Sequence, residues 1–411
     1  MKHLSPRHAA ALAAVSLLAT GSAQAVELQA GDWTFTANGN VNVHYIHSSC
    51  ESHPQSIVTV GGACSVDAGG EKNSSSISNG LLPAALVFGA RTQQSGYDIA
   101  VTFGFYPGIS TNDGGSPNLQ QSGSLGTNTA LGTTGLDVRQ VFMTVGNADI
   151  GSFTLGRNFG LFGFDAIIND MTLPGVGVAG SASGGAPSNT TLGSIGFGYI
   201  YTDTLAQMNY TTPDFHGLTL TAGIFDPVEP LLQGAATAES APGFHGKLAY
   251  KSGNYYLSSS FISQSQHLPN GSSYQAFGAD VTGKAKLGPV DLLASYYRGS
   301  GIGTTGLFVL GDDGLGNKRD SDGYLVQGTW TLGATKLGVN YGVSKLDFAN
   351  DGDRLATPNL LDKNSKITAG VYHALTKNLT VLAEFSDVKT EGHDGSDNRS
   401  NNFNVGAYLA F

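Results

Sequence analysis

Residues 151–201, GSFTLGRNFGLFGFDAIINDMTLPGVGVAGSASGGAPSNTTLGSIGFGYIY, decide the fold. They begin as a strand, with Phe153 and Leu155 alternating against Ser152 and Thr154, and then the alternation stops. From Gly160 to Gly193 the chain is mostly Gly, Ser, Ala, Asn and Thr, apart from an apolar patch at 162–168. A structureless stretch of that length inside a compact protein is either functional or disordered. On both sides of it, segments of about ten residues alternate apolar and polar between turn signals, which is the pattern of a transmembrane β-barrel. Such a barrel has a place for one long loop, its lumen.

Working outward, strands are expected at 33–47, 82–91, 97–106, 136–145 and 151–157, then at 195–212, 218–226, 243–251 and 255–263. The rhythm continues at 274–287, 290–298, 322–332, 336–346, 365–375, 379–388 and 402–411. Short turns such as Ser252-Gly253-Asn254 and Gly288-Pro289 alternate with long loops. The count is about sixteen, an even number with the short turns at one end, as bacterial outer-membrane barrels have. The last strand shows the register best: Phe403, Val405, Ala407, Leu409 and Phe411 face one way, Asn404, Gly406, Tyr408 and Ala410 the other. Ten tilted residues rise roughly 23 Å, the height of the apolar band. Closure is required, because an open edge in lipid leaves backbone groups unpaired. The expected fold is all-β, a sixteen-stranded antiparallel transmembrane barrel with an inward-folded third loop.

The first 25 residues have the form of a secretory signal, with Lys2 and Arg7 ahead of an apolar run and Ala23-Gln24-Ala25 as the cleavage site. The barrel domain is then 26–411, and losing Lys2 and Arg7 makes it two units more acidic than the net −10 of the whole chain. No later run approaches the roughly 18 apolar residues of a membrane helix. Charged residues are 13% of the chain, against about a quarter in soluble proteins. No basic stripe marks a nucleic-acid partner. Cys50 and Cys64 share one Ser/Gly/Asn-rich loop, where export favours a disulfide worth about 3 kcal/mol; two unpaired loop thiols are the alternative. His44, His47 and His53 lie nearby in no standard zinc spacing, so no metal or cofactor is expected.

The stretch GSFTLGRNFG…FDAIINDMTLPGVG resembles the end of strand 5 and the inward-folded third loop of the trimeric general diffusion porins of Gram-negative bacteria. VRQVFMTVG (138–146) is similar to the family's strand 4, whose arginine lines the pore, and the terminal Phe411 resembles its assembly mark. The resemblance implies a homotrimer in outer-membrane lipid and lipopolysaccharide, passing small hydrophilic solutes and ions. It implies Arg139 as a pore-wall cation facing Asp170, the acid of the loop, across the constriction. Arg157 is expected at the loop root, and Asp165 either pairs with it or caps a helical turn at 166–171. Two departures stand out. The family's leucine-proline-glutamate reads Leu173-Pro174-Gly175, and Asn40 stands where a lysine is common. In the outward phase of the first five strands, Gly39, Gln140 and Thr144 are less greasy than a lipid face, which suits a protomer contact.

Further lumen-phase charges are Lys247, Lys251, Asp280, Lys284 and Lys286, with Lys336, Lys366, Asp98, Asp291 and Glu384. They are either a ladder guiding anions or solvated wall residues screened over about 8 Å. The acidic loops 311–322, 347–354 and 391–399 do not fit a calcium-loop spacing. They are read as solvated surface, with calcium bridging to lipopolysaccharide as the alternative. No constellation suggests an enzyme. Rival readings are a substrate-specific channel and a structural or adhesive barrel with an occluded lumen.

Overall fold

The structure, a computed structural model, describes residues 26–51, 56–66, 70–109, 136–179, 190–230 and 236–411. The signal segment therefore lies outside the described residues. The chain forms β1 (Val26–Ala30), β2 (Trp33–Ser49), β3 (Asn73–Ser78), β4 (Ala85–Gln94), β5 (Tyr97–Pro107), β6 (Leu136–Asn147), β7 (Gly151–Phe159) and α1 (Phe164–Asn169). Next come β8 (Thr204–Thr211), β9 (Leu218–Phe225), β10 (Thr237–Ala238), β11 (Gly243–Ser252), β12 (Tyr255–His267), β13 (Ser273–Leu287) and β14 (Val290–Ser300). The last are β15 (Asp320–Leu332), β16 (Thr335–Leu346), α2 (Asp351–Ala356), β17 (Leu361–Ala374), β18 (Leu379–Gly392) and β19 (Asp397–Ala410).

All nineteen strands belong to one antiparallel sheet; setting aside the short β1, β3 and β10 leaves sixteen staves, each paired with its chain neighbours. The sheet closes where β19 pairs with β2, from Asn401↔Ser49 to Ala410↔Asn40. At the seam the backbone of Phe411 exchanges two hydrogen bonds with Gly39, at 2.9 and 3.0 Å. Below that point β2 has no partner in β19, and β1 folds back along Trp33–Ala37 to cover it. That hairpin was not expected. It satisfies backbone groups that lipid cannot.

Alternation holds around the ring, because a stave between lipid and lumen needs a period of two. Val41, Val43, Tyr45, Leu337, Val339, Tyr341, Phe403, Val405 and Leu409 are exposed outward, while Asn40, Asn42, Asn340, Asn402 and Asn404 are buried inward. Three expectations need correction. Residues 195–203 are not part of a strand; they pack inside, and β8 starts at Thr204. α1 lies two residues earlier than the expected helical turn. Gln140 and Thr144 do not face outward. In β6 the register against β5 jumps from Gly104↔Gln140 to Phe105↔Val138, which leaves Arg139 as the extra residue of a β-bulge. The bulge flips the phase of what precedes it, so Gln140 turns inward to accept from Tyr106 and donate to Asn158 at 2.8 Å. The outward residues there are Val141 and Met143, as greasy as elsewhere.

Candidate functional site

The segment from Gly160 to Asp203 leaves the wall and packs along its inner face, held by side chains of the staves. At its start, Gly163 caps α1 in the left-handed region (φ 76°), and its N–H donates to Asp280 on β13 at 2.7 Å. Only glycine fits easily, since a Cβ would lie 2.5 Å from the Ile200 carbonyl oxygen. At the end of α1, Gln327 on β15 accepts from Met171 N at 2.6 Å and donates to the Asn169 carbonyl at 2.9 Å. The turn after Pro174 docks on β18: Glu384 Oε2 accepts from the N–H groups of Val176 and Gly177, each at 2.9 Å. Its Oε1 accepts from Tyr372 at 2.6 Å. Farther on, Gly198 N donates to Ser344 on β16 at 2.9 Å.

Asp170 follows α1 and is buried. Its carboxylate accepts from Tyr199 (2.9 Å), from Thr172 N (3.0 Å) and Oγ1 (2.8 Å), and from Asn340 (3.1 Å). Burial and this carboxylate push the Tyr199 phenol well above its ordinary range, so it stays a donor. Arg139 is also buried, and it pairs with Asp137 on its own stave (Nη2 to Oδ2, 2.8 Å), with its guanidinium 5.5 Å from the Tyr106 ring centre. Both expected constriction charges are thus neutralised locally.

Asp165 neither pairs with Arg157 nor caps a helix. It meets Lys247 at 3.3 Å and accepts from Tyr256 at 2.9 Å, because α1 presents it to β11 and β12. Arg157 sits opposite Val141 and Ala206 in the outward register and donates to Thr204 Oγ1 at 3.0 Å, close to the loop's end. Beside it Asp203 holds a left-handed backbone (φ 56°), and burial raises its carboxyl to about 7. Lys284 reaches Asn169 Oδ1 at 3.1 Å and is otherwise wet; Lys251 and Lys286, nearer the short turns, are also exposed. Cys50 and Cys64 form the expected disulfide. Among the described residues no group of three or more His, Cys, Asp or Glu is placed to hold a metal.

Sequence reasoning left Glu384 without a role. Its signal was the missing loop acid. A Cβ on Gly175 would fall 2.0 Å from Glu384 Oε1, so the wall carboxylate occupies the space that a side chain at 175 would enter.

A closed sheet with apolar residues outside, polar ones inside and one loop bound along the inner wall defines a transmembrane barrel channel. The chain belongs to the Gram-negative porin family, whose model matches residues 9–393. It is an outer-membrane porin channel, and the family is one of channels, not enzymes. No curated protein matches the sequence. Among solved structures it is similar to the outer membrane channel DcaP of Acinetobacter baumannii, at 15% identity and TM-score 0.68 over 93% of this chain and 99% of that one. It is also similar to an anion-selective porin from Comamonas acidovorans (14%, TM-score 0.61, 92% and 100%). A third match is Salmonella typhi OmpF in complex with daunomycin (13%, TM-score 0.56, 94% and 100%). At these identities the likeness is one of fold.

Proposed function

We propose that this porin passes small hydrophilic solutes by passive diffusion, favours anions, and works as a homotrimer in lipopolysaccharide-bearing membrane after loss of residues 1–25. One observation carries the anion preference. The carboxylates along the inner segment, Asp165, Asp170 and Glu384, are buried and hydrogen-bonded, whereas Lys251, Lys284 and Lys286 stand in water on the inward face. Half-buried Asp98 and Asp291 oppose them near the short turns, and Asp291 lies across from Lys286. A charge satisfied by fixed donors presents little field to a passing ion, while a solvated lysine presents all of its own. Arg139 and Asp170 frame the constriction in this reading without setting its sign. The similarity to a porin described as anion-selective is consistent with it. Reversal potentials in a potassium chloride gradient test the proposal: they should move toward the chloride potential, and movement toward the potassium potential rejects it.

A further inference from the structure

The inward residues of the staves are dry for most of their height. Along β12, Ser258, Ser260, Ile262, Gln264 and Gln266 are all buried, and so are Glu384, Ser386, Val388 and Thr390 on β18. The same holds for Asn398, Ser400, Asn402 and Asn404 on β19 and for Asn42, His44, Ile46 and Ser48 on β2. A wide bore open to water would wet such residues. What covers them is more than the segment between Gly160 and Asp203.

Between β14 and β15 runs GIGTTGLFVL (301–310), an apolar sequence out of place in a solvated surface loop. All ten residues are buried. Ile302, Leu307 and Phe308 pack with Phe162 and Ile200 of the inner segment and with wall residues Phe225 and Ile262. Val309 and Leu310 pack with Leu346 and Leu360, and with Val58 and Val60 of the disulfide loop. Thr305 joins all three loops: its carbonyl accepts from Tyr201 N at 2.9 Å, and its hydroxyl donates to the Val60 carbonyl at 2.6 Å. The disulfide loop rises from β2 and the apolar loop from β14, far round the ring, so they meet above the bore.

The segment is held rather than relaxed. Phe308 (φ 61°) and Leu310 (φ 58°) sit in the left-handed region, which side chains adopt only when their surroundings impose it. Its ends are glycines with the freedom to turn, Gly301 (φ 79°) and Gly303 (φ 76°). One buried residue secures it. Arg319 makes a two-pronged contact with Asp353 of α2, Nη2 to Oδ1 at 2.7 Å and Nε to Oδ2 at 2.8 Å, and donates to the Leu310 carbonyl at 3.3 Å. Its backbone carbonyl also accepts from Gly301 N at 2.9 Å.

We infer that residues 301–310 are a lid over the bore, latched by Arg319 and Asp353, and that solutes cross only when the lid lifts away from the inner segment. This rests on the porin reading. The staple to test it is G196C with T305C, since a Cβ on Gly196 lies 3.4 Å from that of Thr305, close to the span of a disulfide. In planar bilayers the oxidised stapled protein should carry about tenfold less current than after reduction, with reduced wild type as the control for Cys50–Cys64. Asp353→Asn, which frees the latch without a staple, should raise the open fraction about tenfold. Equal currents before and after reduction overturn the lid, as do Asp353→Asn traces that match the wild type. Absence of current from the wild type and the reduced staple alike would refute the porin reading instead.

Discussion

Glu384 is where this chain departs most clearly from the pattern it resembles. It offers one carboxylate to two backbone N–H groups of the loop turn and to Tyr372, all out of water. Truncating it leaves both N–H groups buried without acceptors, each at a cost of about 1–3 kcal/mol. Glu384→Ala should therefore lower unfolding stability in urea by about 2–4 kcal/mol, and Glu384→Gln, which keeps one acceptor oxygen, by less. A carboxylate returned at position 175 occupies the vacated space, so Gly175→Glu should restore stability to the alanine variant and damage the wild type. An additive pair of losses would sink the idea that the two positions share one site.

Asp203 supplies a second test at this scale, in pH. Its carboxyl is raised from 3.8 to about 7 by burial, so the folded state binds a proton that the unfolded chain has released. Stability from this group is full below pH 4, falls as pH rises toward 7 and is flat above. The difference between wild type and Asp203→Asn isolates it from the other buried groups. The variants should match near pH 4, with Asn the more stable by a few kcal/mol at pH 8. A pH-independent difference would be evidence against a buried, protonated Asp203.

At the scale of elements, the staves were legible because lipid outside and water inside impose a period of two on every strand. What escaped notice was whatever breaks that period or needs no period at all. A bulge adds one residue, so simple alternation placed Gln140 and Thr144 on the wrong face while leaving the strand itself in place. The alternation of SIGFGYIY was real, but it serves packing inside the bore rather than a ladder, which put the start of β8 too early. Glu384 was placed on the correct face and left without a task, since its partner is a backbone turn that no side-chain pattern marks. The disulfide, by contrast, was within reach of spacing and compartment alone. It closes a loop whose Val58 and Val60 pack against the lid. Replacing both cysteines by serine should cost about 3 kcal/mol in chemical denaturation, and reduction of the wild type should cost the same. A loss confined to one of the two treatments would mean that the bridge acts by strain or packing rather than by restricting the unfolded chain.

At the scale of the molecule, the net charge of −10 argues wrongly if taken as the charge the solute meets. Much of the acid is spent on loop turns and latches: Asp313 accepts from Leu315 and Asn317, Asp353 from Arg319, Glu384 from the inner loop. The solvated charge along the inward face belongs to Lys251, Lys284 and Lys286. A unit charge about 8 Å from a passing ion in water changes its energy by roughly 0.5 kcal/mol, so each lysine is worth about a twofold change in permeability ratio. Lys284→Gln should reduce the chloride-to-potassium ratio by about that factor, and the triple glutamine variant should reduce it severalfold. Neutralising Asp165 or Asp170 should change it far less, because their charges are already matched by fixed donors. The preference should also fade with salt, since the screening length shrinks from about 10 Å at 0.1 M to about 3 Å at 1 M. A preference that survives 1 M salt undiminished would have to come from contact with a bound anion, and the solvated lysines would then not be its source.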